Sequence, residues 1–267
     1  MNSAKLNLIP LVVFVLWVGV CIQTSSALSQ SNDRVYLSAV DWSPDGNQIV
    51  AIGFRAQSDN GYIFIIDAMT GETLSSWDTM YGGYASVDWS PDGRLIAVGG
   101  YDQTVRVIDV LSGEVAATLT GHRGVVNSVD WNSSGSLLVS SSPVDQQVIL
   151  WDMYSYQAIN VIEIGDPWSV AFSPNDQTVA VGGIAGLFVF PASIDVVEGT
   201  QINQYRYFNK YVGAIAWSRD GTQIAIGTQG FRSAVTGRTD HPEVYVFDSQ
   251  NRTTLSDFEV VDGDKIY

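Results

Sequence analysis

Cysteine is almost missing from this sequence. The 267 residues hold one, Cys21, inside an apolar run near the N-terminus. A chain that loses that run has no disulfide and no thiolate chemistry, so its core alone must hold it together. Val20 stands before Cys21, where a lipid-attachment motif wants a small residue. Histidine is scarce as well: His122 and His241 are the two present, too few for a His/Cys zinc site. Positive charge is short, with 13 Lys and Arg against 28 Asp and Glu and a formal net charge of −15. Such a surface repels nucleic-acid phosphate and anionic lipid. Helical periodicity is missing after the first thirty residues. No glycine-rich phosphate loop joins a strand to a helix, because the glycines of "VGGYDQ" (Val98 to Gln103) and "VGGIAG" (Val181 to Gly186) close a repeated strand. Asp262, Gly263 and Asp264 offer too few oxygens for a calcium cage. No cofactor and no metal are therefore expected.

The first thirty residues differ from the rest. Lys5 is followed by an apolar run from Leu6 to Ile22, and then by the small residues Ser25, Ser26 and Ala27. A basic start, an apolar middle and a small-x-small end make residues 1–29 a secretory signal peptide, with cleavage after Ala27 or Ser29. The alternative is an uncleaved N-terminal membrane anchor, although the run is short of the ~20 residues a spanning helix needs and contains Asn7 and Pro10. The expected location is outside the cytoplasm, periplasmic or extracellular, or membrane-anchored facing outside.

The rest of the chain repeats itself. "VDWSPDGNQIVAIG" (Val40 to Gly53) returns as "VDWSPDGRLIAVGG" (Val87 to Gly100), "VDWNSSGSLLVSSS" (Val129 to Ser142), "VAFSPNDQTVAVGG" (Val170 to Gly183) and "IAWSRDGTQIAIGT" (Ile215 to Thr228). Trp42, Trp89, Trp131, Phe172 and Trp217 mark one slot in each copy, spaced 47, 42, 41 and 45 residues apart. Periods near 40–45 with strand patterning are the sign of propeller blades. Within one copy, "SVDW" reads as a short apolar strand, "SPDG" as a turn, and "RLIAVGG" as a buried strand. "TVRVID" alternates, with Val105 and Val107 on one face and Arg106 on the other, and "EVAATL" reads as an outer strand. Much of the acidity sits at turn positions, among them Asp45, Asp67, Asp92, Asp109, Asp152, Asp220 and Asp248, where aspartate is favoured for its local hydrogen bonds.

The third copy carries the fullest motif: "GHRGVV" (Gly121 to Val126), then "VDWNSSG", then "VDQQVILWD" (Val144 to Asp152). It resembles the WD-repeat (WD40) β-propellers, and the likeness covers about residues 35–260. The "WSPDG" turn is also similar to propeller repeats of periplasmic translocation accessory proteins and of prolyl-peptidase-type propellers. The resemblance implies an all-β fold of four-stranded antiparallel blades within residues 35–267. About five blades are present, near 36–78, 83–120, 125–165, 168–207 and 213–259. WD propellers usually have seven blades, and "VVDGDKIY" at the end looks like the approach to another, so an incomplete, truncated ring is expected. A genuine five-bladed ring is the alternative. The family's structural quartet maps onto His122, Ser140, Asp145 and Trp151, the imidazole bridging the acid and the hydroxyl. The other copies drop it: the second has Asp102 but Ile108 in the tryptophan slot, and the fourth has Phe190 and Pro191 there.

His122, Ser140 and Asp145 are also the residue types of a hydrolytic triad, but they fall on positions that are structural in the family, so no catalytic residue is expected. The functional expectation is a non-catalytic exported scaffold for protein–protein interaction. One alternative is the propeller portion of a larger exported enzyme or sensor whose catalytic domain lies beyond the C-terminus, and another is a propeller enzyme with a site in its own channel. The family docks partners on the loops leading into the inner strands. Those loops carry Tyr81, Tyr84, Arg123, Trp168 and Tyr211, residue types that dominate interface energetics, as the candidate rim for a protein or peptide partner. Two insertions, Thr228 to Val246 and Arg55 to Gly61, and the glycosylation sequons at Asn132 and Asn251 complete the features of note.

Overall fold

A computed structural model describes residues 35–55, 60–79, 82–184, 186–192, 203–205, 211–229, 243–249 and 253–259. The expected signal segment, Tyr81, Asn251, most of the Thr228–Val246 insertion and the "VVDGDKIY" stretch lie outside them. No helix occurs among the described residues. The chain forms five separate four-stranded antiparallel sheets, each built from four consecutive strands. The first sheet holds β1 (Val35–Trp42), β2 (Gln48–Arg55), β3 (Gly61–Asp67) and β4 (Thr73–Thr79). The second holds β5 (Tyr84–Trp89), β6 (Leu95–Gly100), β7 (Thr104–Asp109) and β8 (Val115–Thr120). The third holds β9 (Ser128–Trp131), β10 (Leu137–Ser142), β11 (Gln147–Asp152) and β12 (Gln157–Glu163). The fourth holds β13 (Pro167–Phe172), β14 (Thr178–Gly183), β15 (Gly186–Pro191) and β16 (Asn203–Tyr205). The fifth holds β17 (Tyr211–Trp217), β18 (Gln223–Gln229), β19 (Glu243–Asp248) and β20 (Thr253–Glu259). Each sheet is one blade of a β-propeller, and the first strands β1, β5, β9, β13 and β17 pack against one another as the innermost layer.

Each "WSPDG" phrase makes the hairpin between a blade's first two strands. Ser43 Oγ donates to Asp45 and accepts the Gln48 amide, while the Gly46 amide returns to the Ser43 carbonyl. Gly46 takes φ of 72°, and Gly93, Gly135 and Gly221 take 75°, 70° and 70° at the same place, a region glycine enters at little cost. The fourth copy puts Asp176 there at φ 59°, and aspartate tolerates that region. Its carboxylate has a second task, accepting the Ser133 and Ser134 amides of the preceding blade at 2.7 and 3.1 Å.

The core lies between the blades as four apolar clusters. Val50, Ile52, Ile63 and Ile65 of the first blade meet Tyr84, Val87, Trp89 and Ile96 of the second. Val105 and Val107 meet Val129, Trp131, Leu138 and Trp151. Val148 and Leu150 meet Val170, Phe172, Val179 and Phe190, and Ala180 and Leu187 meet Val212, Ile224, Ile226 and Phe247. Middle strands are therefore covered on both faces, which is why they read as continuous aliphatic runs. Fully burying each such side chain contributes about 1.5–3 kcal/mol. The aromatic slot reports the cover directly. Trp89, Trp131 and Phe172 are 5%, 7% and 7% exposed beneath the preceding blade, whereas Trp42, on the outward face of the first blade, is 48% exposed.

Candidate functional site

Strands 1 and 2 of a blade meet at the Ser-Pro-Asp-Gly turn, so the second-to-third strand turns and the loops entering the innermost strands share the opposite end. The third blade's quartet stands at that end. Ser140 lies on β10, opposite Ile149 of β11, and Trp151 lies two register positions away on the same face, opposite Leu138. Asp145 is in the β10–β11 turn and His122 in the loop before β9. His122 Nδ1 is 2.9 Å from Asp145 Oδ2, and its Nε2 is 2.8 Å from Ser140 Oγ. Trp151 Nε1 donates to Ser140 Oγ at 2.8 Å. One proton arrangement satisfies all of them: Nδ1–H donates to the carboxylate, the serine hydroxyl donates to Nε2, and the indole donates to the serine. It uses a neutral imidazole, and burial does lower the His122 pKa against the raising influence of Asp145. Ser140 Oγ is fully buried and already holds both partners, so no substrate carbonyl can approach it. The network ties the loop to the turn instead, since Asp145 also accepts the Arg123 amide at 2.7 Å and the Gln147 amide at 3.0 Å.

The second blade solves the same position differently. Val98 takes the register of Ser140 and Ile108 that of Trp151, while Asp102 keeps the acid. The cation that joins it is Arg106, which forms an ion pair with Asp102 and is 5% exposed. Arg106 is on the opposite face from Val105 and Val107, but that face is the junction with the first blade rather than solvent. Tyr84 packs beside the pair, its buried hydroxyl making no hydrogen bond and feeling the Arg106 and Asp102 charges. Burial raises the Tyr84 pKa, and its ring is buried against the first blade at Gly61. Tyr84 is therefore a correction to the sequence-derived rim: it is core and offers no surface.

The innermost strands carry a device that sequence reading passed over as part of a short apolar strand. Asp41, Asp88 and Asp130 occupy the "VDW" position of the first three copies. Each accepts the amide of the next blade's aromatic-slot residue: Asp41 from Trp89 at 2.7 Å, Asp88 from Trp131 at 2.6 Å, Asp130 from Phe172 at 2.6 Å. Ser86 and Ser128 add parallel links to the Val129 and Val170 amides at 3.1 and 3.2 Å. The ladder stops where Ala171 and Ala216 replace the acid, and there the Trp217 indole donates to the Ala171 carbonyl at 3.2 Å instead. Burial raises Asp88 well above the usual carboxylate range, and the charges of Asp130 and Asp41 push the same way. Asp130 is pushed up to about 7, first by burial and then by Asp41 and Asp176. Asp41 is raised by burial, while the Asp88 side chain acts in the opposite direction. An acid within an apolar strand, repeated in three copies and alanine in the other two, was the available signal. Among the described residues no group of three or more His, Cys, Asp or Glu is placed to hold a metal ion.

The remaining rim residues divide. Tyr81 lies outside the described residues. Arg123 is exposed, with its amide held by Asp145. Trp168 and Tyr211 come together, ring centroids 5.1 Å apart at 68°, one ring edge against the other's face. Trp168 falls at the break in register between Pro167 and Ser169 on β13, a bulge that re-aims its side chain outward, and it is 37% exposed. Burial, then the Asp166 charge, raises the Tyr211 pKa. Tyr101, Val144 and Ile184, in the second-to-third strand turns at this end, are exposed as well and were not singled out from the sequence.

A family model described as "WD domain, G-beta repeat" matches residues 80–109 and 113–152, the second and third blades. Over 94 residues the chain is 36% identical to "WD repeat-containing protein SL1-17" of Schistosoma mansoni, a match covering 34% of this chain and 30% of that protein. WD-repeat propellers are scaffolds that bind protein partners, and neither comparison points to a catalytic role. With five four-stranded blades, WD repeats matched in the second and third, and the His–Ser–Asp–Trp network in the third, the chain carries WD repeats on a β-propeller and is similar to the WD-repeat family.

Proposed function

We propose that the protein is an exported, non-catalytic scaffold that binds a protein or peptide partner on the quartet end of the propeller. Trp168, Tyr211 and Arg123 are the contacts, bordered by Tyr101, Val144 and Ile184. The observation that carries this reading is the aromatic pair: a tryptophan turned outward by a bulge and braced by a tyrosine at 5.1 Å. Rigid aromatic rings give large contact area at small entropic cost, and Trp, Tyr and Arg dominate binding hot spots. Export rests on residues 1–29, with Lys5, the Leu6–Ile22 run and the small residues Ser25 to Ala27.

Two experiments test the two halves. A photo-crosslinking residue at position 168 is compared in the native host with one at position 69, where Met69 is 95% exposed at the opposite end. A discrete adduct formed from position 168 alone is expected. The same adducts from both positions, or none from 168, overturn the assigned face. Residues 1–29 are fused to a reporter that is active only outside the cytoplasm. Activity is expected, and a silent reporter in a host with intact secretion overturns export.

A further inference from the structure

The aromatic pair sits beside an acid, and the combination selects a ligand charge. Resting on the reading of this end as the partner surface, we infer that Trp168, Tyr211 and Asp166 form a receptor for one cationic side chain of the partner, a lysine ammonium or an arginine guanidinium. The two rings meet at 68°, one edge against the other's face, and the π faces not used in that contact are negative. A cation within about 6 Å of such a face is attracted to it, most strongly at tryptophan. Asp166 lies two residues before Trp168 in the loop entering β13, and its charge is felt at the Tyr211 hydroxyl. An anionic partner group meets repulsion there from Asp166 and from a chain of net charge −15. A neutral apolar group gains nothing from the carboxylate.

The backbone is shaped to put these groups together. Asp166 has φ of 49°, and a Cβ on Gly183 would lie 2.6 Å from the Asp166 carbonyl oxygen and 3.1 Å from that of Gly165. The loop thus lies flat on β14 at a glycine, and two residues later the bulge turns Trp168 outward. The acidic surface elsewhere is committed differently. Asp45, Asp92 and Asp220 at the far end are held by their own turns, each with a lowered pKa caused first by its serine hydroxyl. Asp166 stands instead next to exposed aromatic surface.

The test titrates the full chain with the tripeptide acetyl-Gly-Lys-Gly-amide and with its Nε-acetyl-lysine counterpart. The indole N–H resonance of Trp168 is followed, with buried Trp131 as reference. The lysine peptide is expected to shift Trp168 saturably, and acetylation, which removes the charge, to weaken binding roughly 10-fold. Asp166→Asn keeps the left-handed backbone that asparagine tolerates, and is expected to weaken the lysine peptide about 3- to 10-fold. Equal binding of the two peptides, an unchanged Asp166→Asn titration, or no shift with either peptide overturns the receptor. The crosslinking comparison does not depend on charge. An adduct at position 168 with charge-blind peptide binding sinks the receptor and keeps the docking face, whereas loss of the adduct sinks the face itself.

Discussion

Replacing Asp88 by asparagine is expected to stabilise the protein above neutral pH and to do almost nothing in acid. The Asp88 carboxyl accepts the Trp131 amide at 2.6 Å and stands between Asp41 and Asp130, with Asp176 acting on Asp130 from the fourth blade's turn. No cation is among the influences on any of the three. Their pKa values are raised in the folded protein, so the ladder's contribution to stability is complete below the ordinary carboxylate pKa. It is lost as pH rises through the folded values, Asp130 at about 7 and Asp88 also well above the usual range. Asparagine keeps an oxygen for the Trp131 amide, removes the middle charge, and brings an N–H₂ that donates to a neighbouring carboxylate. The Asp88 carboxyl is raised first by burial and then by the charges of Asp130 and Asp41, so asparagine removes both penalties once that group ionises. These carboxylates are half-buried, and solvent screening keeps the change to about 1–2 kcal/mol for the single substitution. For a protein of this size the gain is about 3–6 °C in Tm. Thermal melts of Asp88→Asn and wild type between pH 4.5 and 8.5 test it. The curves should converge in acid and separate as pH rises. A shift of the same size at every pH, or a lower Tm for the variant at pH 8.5, would refute the reasoning, because the amide contact would then outweigh the repulsion.

Two further substitutions probe the blade junctions. Trp151→Phe removes the indole donor to Ser140 while keeping most of the packing, and should cost about 1–2 kcal/mol by urea denaturation; an unchanged midpoint would show the quartet to be decoration. Trp89→Ala empties a covered slot and should cost about 3–5 kcal/mol, whereas Trp42→Ala, at the same place in an uncovered slot, should cost less than about 1 kcal/mol in the same assay. Equal losses would mean that the face of β1 is covered in solution.

Strand order, turn chemistry and repeat length are properties of neighbouring residues, and the sequence determined them alone. "WSPDG" places a tight hairpin because proline, aspartate and glycine each suit one turn position, and the five phrases become five blades. His122, Ser140, Asp145 and Trp151 were legible as a group because motif spacing names them, and their hydrogen bonds join one loop, one turn and two strands around a single blade. Contacts between copies were decided by tertiary structure. Alternation tells which side chains share a face but not what covers that face, so Tyr84 was legible as an aromatic residue in a rim loop and not as core against Gly61. The same blindness hid Arg106, whose burial depends on the neighbouring blade. Asp41, Asp88 and Asp130 are separated by a full repeat, and only packing of the inner strands brings their charges together, which is why their proton affinity could not be read from the chain. Trp168 and Tyr211 belong to the same class: forty-three residues of sequence separate them, and a bulge on one strand with the packing of two blades sets them at 5.1 Å.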